Sequence, residues 1–186
     1  MPANVTNALV FIIHSIAQLY LLVLLLRLWL PLLRADFRNP LAQAILRLTS
    51  PVVVPIRRIV PPIGRLDTAT ILVAFIIEYL VLAILAMISQ LPAGVLDITI
   101  TAVAGLVLLS MHLFVFAIFV RVILSWISPG GYNPAAAIIF TLTEPVLRPL
   151  RRWLPSLGGI DISPVFAIIL LLAATKIVAG LKTLPF

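Results

Sequence analysis

The chain has 186 residues, a formal net charge of +7 and no cysteine, and it is 63% hydrophobic against 10% charged. So apolar a composition excludes a disordered chain and an ordinary water-soluble domain, and the missing cysteines exclude a disulfide framework, a thiolate metal site and a thiol nucleophile. The basic residues sit beside long apolar runs, so the charge points to a membrane surface and away from nucleic acid.

Four runs are long and apolar enough to cross a bilayer, which takes about 20 residues. They cover about 5–30, 70–91, 98–126 and 164–184. The runs are continuous, not alternating, and lipid obliges each segment to satisfy its own backbone, so all four are expected as helices. No Lys or Arg precedes Arg27, and the first run reads as a retained span. Asp67 and Thr68 are placed to cap the second span. Pro92-Ala93-Gly94 closes the turn that follows it. Asp161, Ser163 and Pro164 open the fourth span.

The connectors 31–69 and 127–163 repeat one another. Asn-Pro, Thr-x-Pro, Pro, Arg-Arg, Pro, Gly and Asp recur at a constant offset, since 133 − 39 = 94 and 161 − 67 = 94. The same offset pairs Arg27 with Arg121, so the duplication reaches into the preceding span. Two tandem units follow, 1–92 and 93–186. Each connector is expected to hold a short apolar helix, 41–49 or 135–143, opened by Asn-Pro and ended at Thr-x-Pro. A second turn then carries Arg57-Arg58 or Arg151-Arg152. Such pieces are too short to cross and are expected to lie in the membrane interface.

Eleven of the 13 Lys and Arg residues fall in the connectors or at the span ends facing them, and the turn between the second and third spans carries Asp97 instead. The positive-inside rule then puts both connectors in the cytoplasm and both termini outside. Each unit holds two spans, so both insert with one polarity, and the repeat axis is expected along the membrane normal. The fold class is an all-α membrane bundle of four spans in two parallel repeats.

The second unit reads Arg121-Val-Ile-Leu-Ser125-Trp126, Asn133-Pro134, Thr143-Glu144-Pro145-Val-Leu-Arg148-Pro149-Leu-Arg151-Arg152 and Asp161-Ile-Ser163-Pro164. This string resembles the YggT family of small bacterial membrane proteins, which has relatives in chloroplasts, and the resemblance covers essentially the whole chain in its two-repeat form. The first unit departs from the string. Ser125-Trp126 becomes Pro31-Leu32, and Glu144 becomes Ser50. The resemblance implies a non-enzymatic inner-membrane role in osmotic-stress or envelope homeostasis, division or assembly of membrane complexes. It implies no cofactor and no catalytic residue.

Two groups of residues could carry function. Arg57, Arg58, Arg148, Arg151 and Arg152 suit anionic lipid phosphates or a protein partner, with Glu144 able to pair with Arg148 or with that partner. Trp126 and Trp153 suit interface anchors. The second group lies within the spans, where ionisable residues are costly. Glu78 falls about 16 Å in from Asp67, and Gln18 and His112 fall about 14 Å in from Arg27 and Arg121. His14 lies one turn from Gln18. These four are expected to form a polar cluster on the bundle axis, which serves either helix packing or a small channel or transporter. Lys176 is expected to reach the opposite headgroups. Expected partners are anionic lipids and other proteins, and the chain could assemble as a homo-oligomer. No metal or nucleic acid is expected.

Overall fold

The computed structural model describes residues 3–127, 133–153 and 161–186. Its regular elements are all helices: α1 (Ala3–Leu32), α2 (Pro40–Arg57), α3 (Thr68–Ile88), α4 (Val95–Ile127), α5 (Pro134–Trp153) and α6 (Ser163–Ala179). Between α2 and α3 an isolated bridge joins Ile63 to Leu66, and Gly64 supplies the positive φ its tight turn needs.

Asn4–Leu32, Thr68–Ile88 and Val95–Trp126 are long and apolar enough to cross a membrane. α6 is apolar as well but has 17 residues, or about 26 Å. The fourth run was expected to continue to 184. It stops at Ala179 because Gly180 caps the helix and the chain turns. The Thr183 and Leu184 amides then donate to Thr101 Oγ1, each at 3.3 Å. Leu184 is buried among Leu82, Ile98 and Ala102, with Phe186 alongside.

The connector helices are also longer than expected. α2 runs through Pro51 and Pro55, and α5 runs through Pro145 and Pro149, so Thr-x-Pro does not end either one. A proline removes one N–H and crowds the carbonyl four residues back. Prolines four apart stack on one helix face, and all four of these are on the exposed face. The interrupted bonds therefore open outward, and the inward ladder survives. Asn39 and Asn133 start the two helices as expected, accepting from the Leu41 and Ala135 amides at 2.9 Å. Both helices are amphipathic. Ala42, Thr49 and Val53 are buried on α2, and Ala136, Leu142, Thr143 and Leu147 on α5.

Within each repeat the long helices pair, α1 with α3 and α4 with α6, and the connector helix packs across the pair. Between repeats α3 lies on α4, and α1 meets α4 where Trp29 stacks edge-on against Phe114 at 5.0 Å. Asn39 Nδ2 donates to Pro134 O at 2.7 Å and ties α2 to the start of α5. A two-fold relation would also require α6 against α1, and that contact is not made among the described residues. The repeats therefore meet head to tail, not reciprocally, among the described residues. Lipid tails are as apolar as leucine, so close approach at small residues holds such helices together. Ala69, Ala74, Ala102, Gly105 and Ala117 supply it here.

Candidate functional site

Each repeat builds the same joint where its first long helix meets its connector helix. In the first, Arg27 is 2% exposed. Its Nη1 donates to Thr49 Oγ1 at 2.8 Å, Ser50 Oγ at 3.1 Å and Leu46 O at 3.4 Å. Its Nε lies 3.6 Å from Asp67 Oδ2. Arg57, in the last turn of α2, donates to that same oxygen. Asp67 caps α3 by accepting from the Thr70 amide at 3.4 Å and the Thr70 hydroxyl at 2.7 Å. One carboxylate thus joins three helices.

The second joint repeats Arg27, Thr49, Arg57 and Asp67 at offset 94, with Ser163 doing the work of Thr70 from one position earlier. Arg121 Nη1 donates to Thr143 Oγ1 at 2.8 Å, and its guanidinium lies 4.7 Å above the Phe140 ring. Arg151 Nε donates to Asp161 Oδ2 at 2.8 Å. Asp161 in turn accepts from the Ser163 amide at 3.0 Å and the Ser163 hydroxyl at 2.6 Å. Glu144 adds a carboxylate between the two arginines, 2.9 Å from Arg121 Nη2 and 3.3 Å from Arg151 Nη1.

Burial alone would push the carboxyls of Asp67 and Asp161 upward. Hydrogen bonds from Thr70 and Arg57 outweigh it at Asp67, as those from Ser163 and Arg151 do at Asp161, and both stay below the ordinary carboxylate value.

The six residues expected to face lipid or a partner therefore divide. Arg57, Arg151 and Glu144 are turned into the joints, and Glu144 pairs with Arg121 and Arg151, not with Arg148. Arg58, Arg148 and Arg152 are exposed and make no ion pair among the described residues. Trp126 and Trp153 are exposed at 81% and 86%.

The intramembrane group also divides. Glu78 is 1% exposed. Gln18 Nε2 lies 3.4 Å from both of its carboxylate oxygens and 3.2 Å from His14 Nε2. His112 does not join them, because it is exposed on α4. Its position matches Gln18 by the repeat, but the counterpart of Glu78 is Leu172, since 78 + 94 = 172. Lys182, in the turned-back tail, donates to Phe186 O at 2.6 Å. Lys176 is exposed on α6.

Sequence reasoning named Arg27, Arg121, Thr49 and Thr143 as repeat markers, not as parts of one joint. The recurrence of an Asp ten residues after each inner Arg, at 57/67 and 151/161, was the signal available. Gly105, which faces Glu78 across the α3–α4 contact, was missed, and a lone glycine in an apolar run gives little warning.

Apolar helices paired in tandem, with charged joints at one end of the bundle, define a helical membrane protein built from a duplicated unit. A family model described as CCB3/YggT matches residues 6–88 and again 100–182. The chain is 40% identical over 170 residues to the uncharacterized protein PA0392 of Pseudomonas aeruginosa, covering 90% of this chain and 86% of that one. It is 37% identical over 169 residues to the uncharacterized protein YggT of Escherichia coli K12, covering 89% and 86%. An uncharacterized Vibrio alginolyticus protein is 36% identical over 160 residues, covering 84% and 85%. No solved structure matches. The chain belongs to the CCB3/YggT family.

Proposed function

We propose that the chain is a non-enzymatic, four-span protein of the bacterial inner membrane. In this reading α6 is the fourth span, the connectors are cytoplasmic and both termini lie outside. It supports envelope or osmotic-stress homeostasis, complex assembly or division by holding anionic lipid and protein partners on its arginine face. One observation carries this reading. Arg58, Arg148 and Arg152 stand exposed, as do Trp126 and Trp153, while their neighbours Arg57 and Arg151 are consumed in joints. Exposed guanidiniums suit lipid phosphates, at about 1 kcal/mol per charge near an anionic surface. The test is the triple change Arg58→Ala, Arg148→Ala, Arg152→Ala. Crosslinked partners and enrichment of phosphatidylglycerol around the reconstituted protein should both fall, with unchanged insertion. Parent-like lipid enrichment and partner yield would reject the reading.

A second reading, a small channel or transporter, draws on buried Glu78 with Gln18 and His14. It requires solute flux in proteoliposomes that Glu78→Gln abolishes. Flux equal to that of empty vesicles would remove it.

A further inference from the structure

The two joints share their arginines, threonine and aspartate but not their charge. The second holds two guanidiniums, Arg121 and Arg151, against two carboxylates, Glu144 and Asp161, so +2 − 2 = 0. In the first, the counterpart of Glu144 is Ser50, since 144 − 94 = 50, and its hydroxyl is neutral. Ser50 donates to Leu46 O at 2.6 Å and accepts from Arg27. The first joint also gains Arg65 where the second repeat has Gly159. Arg27, Arg57 and Arg65 thus line one cavity whose lining holds a single carboxylate, Asp67, which pairs with the first two, and +3 − 1 = +2.

A cavity of about 420 Å³ opens at this place. Its walls include Arg27, Arg57, Arg65, Asp67, Phe37 and Pro62. Arg27 is 2% exposed, and its Nε has no hydrogen-bond partner. Asp67 Oδ2 stands 3.6 Å away, beyond hydrogen-bond distance, and already accepts from Arg57 and the Thr70 hydroxyl. A buried donor left unpaired costs about 1–3 kcal/mol, and more when it is charged. Neighbouring arginines add mutual repulsion.

We infer that this cavity binds a phosphate-type oxyanion, which takes the part that Glu144 plays from within the chain in the second repeat. Guanidinium forks match the geometry of phosphate oxygens. The volume falls within the range of small-molecule sites. Phe37 and Pro62 give the anion an apolar flank, which suits a phosphate ester as well as free phosphate. The inference does not depend on the exposed arginines gripping the leaflet, since it uses none of them.

The experiment uses the full chain in phosphatidylcholine nanodiscs. Thermal unfolding is followed while inorganic phosphate is titrated in, and in separate discs while phosphatidylglycerol replaces part of the phosphatidylcholine. Either addition should raise the midpoint. A response to phosphate identifies a free anion as sufficient, and a response to phosphatidylglycerol alone identifies a lipid headgroup. Ser50→Glu brings the missing carboxylate into the chain. It should raise the midpoint without any added anion and weaken the anion's effect about tenfold, the loss of one charge-assisted contact. Arg65→Ala, an exposed position, should weaken the effect similarly while folding normally. Glu144→Ser should create a second anion response at the other joint. A parent midpoint insensitive to both anions, or a Ser50→Glu chain that responds like the parent, would overturn the inference. If Ser50→Glu does not fold, an unaltered response in Arg65→Ala overturns it equally.

Discussion

Gly105 on α4 makes room for the Glu78 carboxylate on α3. A Cβ built at Gly105 would stand 2.6 Å from Glu78 Oε1, inside any normal contact. Gly105→Ala would ordinarily stabilise a helix, by about 0.8–1 kcal/mol. Here the sign reverses, and overpacking costs about 1–3 kcal/mol. Combining it with Glu78→Ala should return most of that loss. Thermal unfolding of the two single variants and the double tests this, and strictly additive effects would rule out the contact.

Gln18 and His112 separate on the same scale. Gln18→Leu takes the amide donor away from buried Glu78 and should cost about 1–3 kcal/mol. His112→Ala, at an exposed position, should stay within about 0.5 kcal/mol of the parent. Denaturation in one detergent measures both. A His112 effect as large as that of Gln18 would return it to the cluster.

The joint threonines offer a near-isosteric test. Thr49 and Thr143 are fully buried, and each accepts from an arginine at 2.8 Å. Replacing either with Val keeps the shape and takes an acceptor from a buried guanidinium, although Arg27 Nη1 retains Ser50 Oγ and Leu46 O. Thr49→Val should cost about 1–3 kcal/mol. Thr143→Val should cost less, because Arg121 has a side-chain exposure of 12% against 2% for Arg27. Equal losses would mean that burial of the arginine does not set the cost.

Asp67 and Asp161 make the joints sensitive to acid. Their folded values lie below the unfolded reference of 3.8. The stability they contribute is therefore complete above that reference and is lost as pH falls through the lower folded values. The midpoint should drop below about pH 4. Asp67→Asn should lower the midpoint at neutral pH and flatten that acid limb. An acid limb unchanged in the Asp67→Asn, Asp161→Asn double variant would assign it to other groups.

Repeats, helix starts and the three members of the polar trio were legible in the sequence because each depends on local spacing. The offset of 94 found the equivalent positions, but equivalence does not carry partners with it: His112 stands where Gln18 does and faces no carboxylate, because Leu172 replaces Glu78. Proline was read as a helix end, when four-residue spacing on an outer face lets a helix continue. The span through 184 failed for a long-range reason. Hydrogen bonds to Thr101, on a distant helix, turn the tail back. Arg57 and Arg151 were read outward from their charge alone, before their aspartates were placed beside them.

The paired prolines of α2 and α5 have a consequence for how deep these helices can sit. Pro51 and Pro55 leave carbonyls of the preceding turn without an amide donor, and Pro145 and Pro149 do the same on α5. Hydrocarbon offers those oxygens nothing, whereas hydrated headgroups do. A helix of this kind laid in a membrane interface carries a waterline along its outer side, and its immersion is bounded by the level at which moisture still reaches that strip.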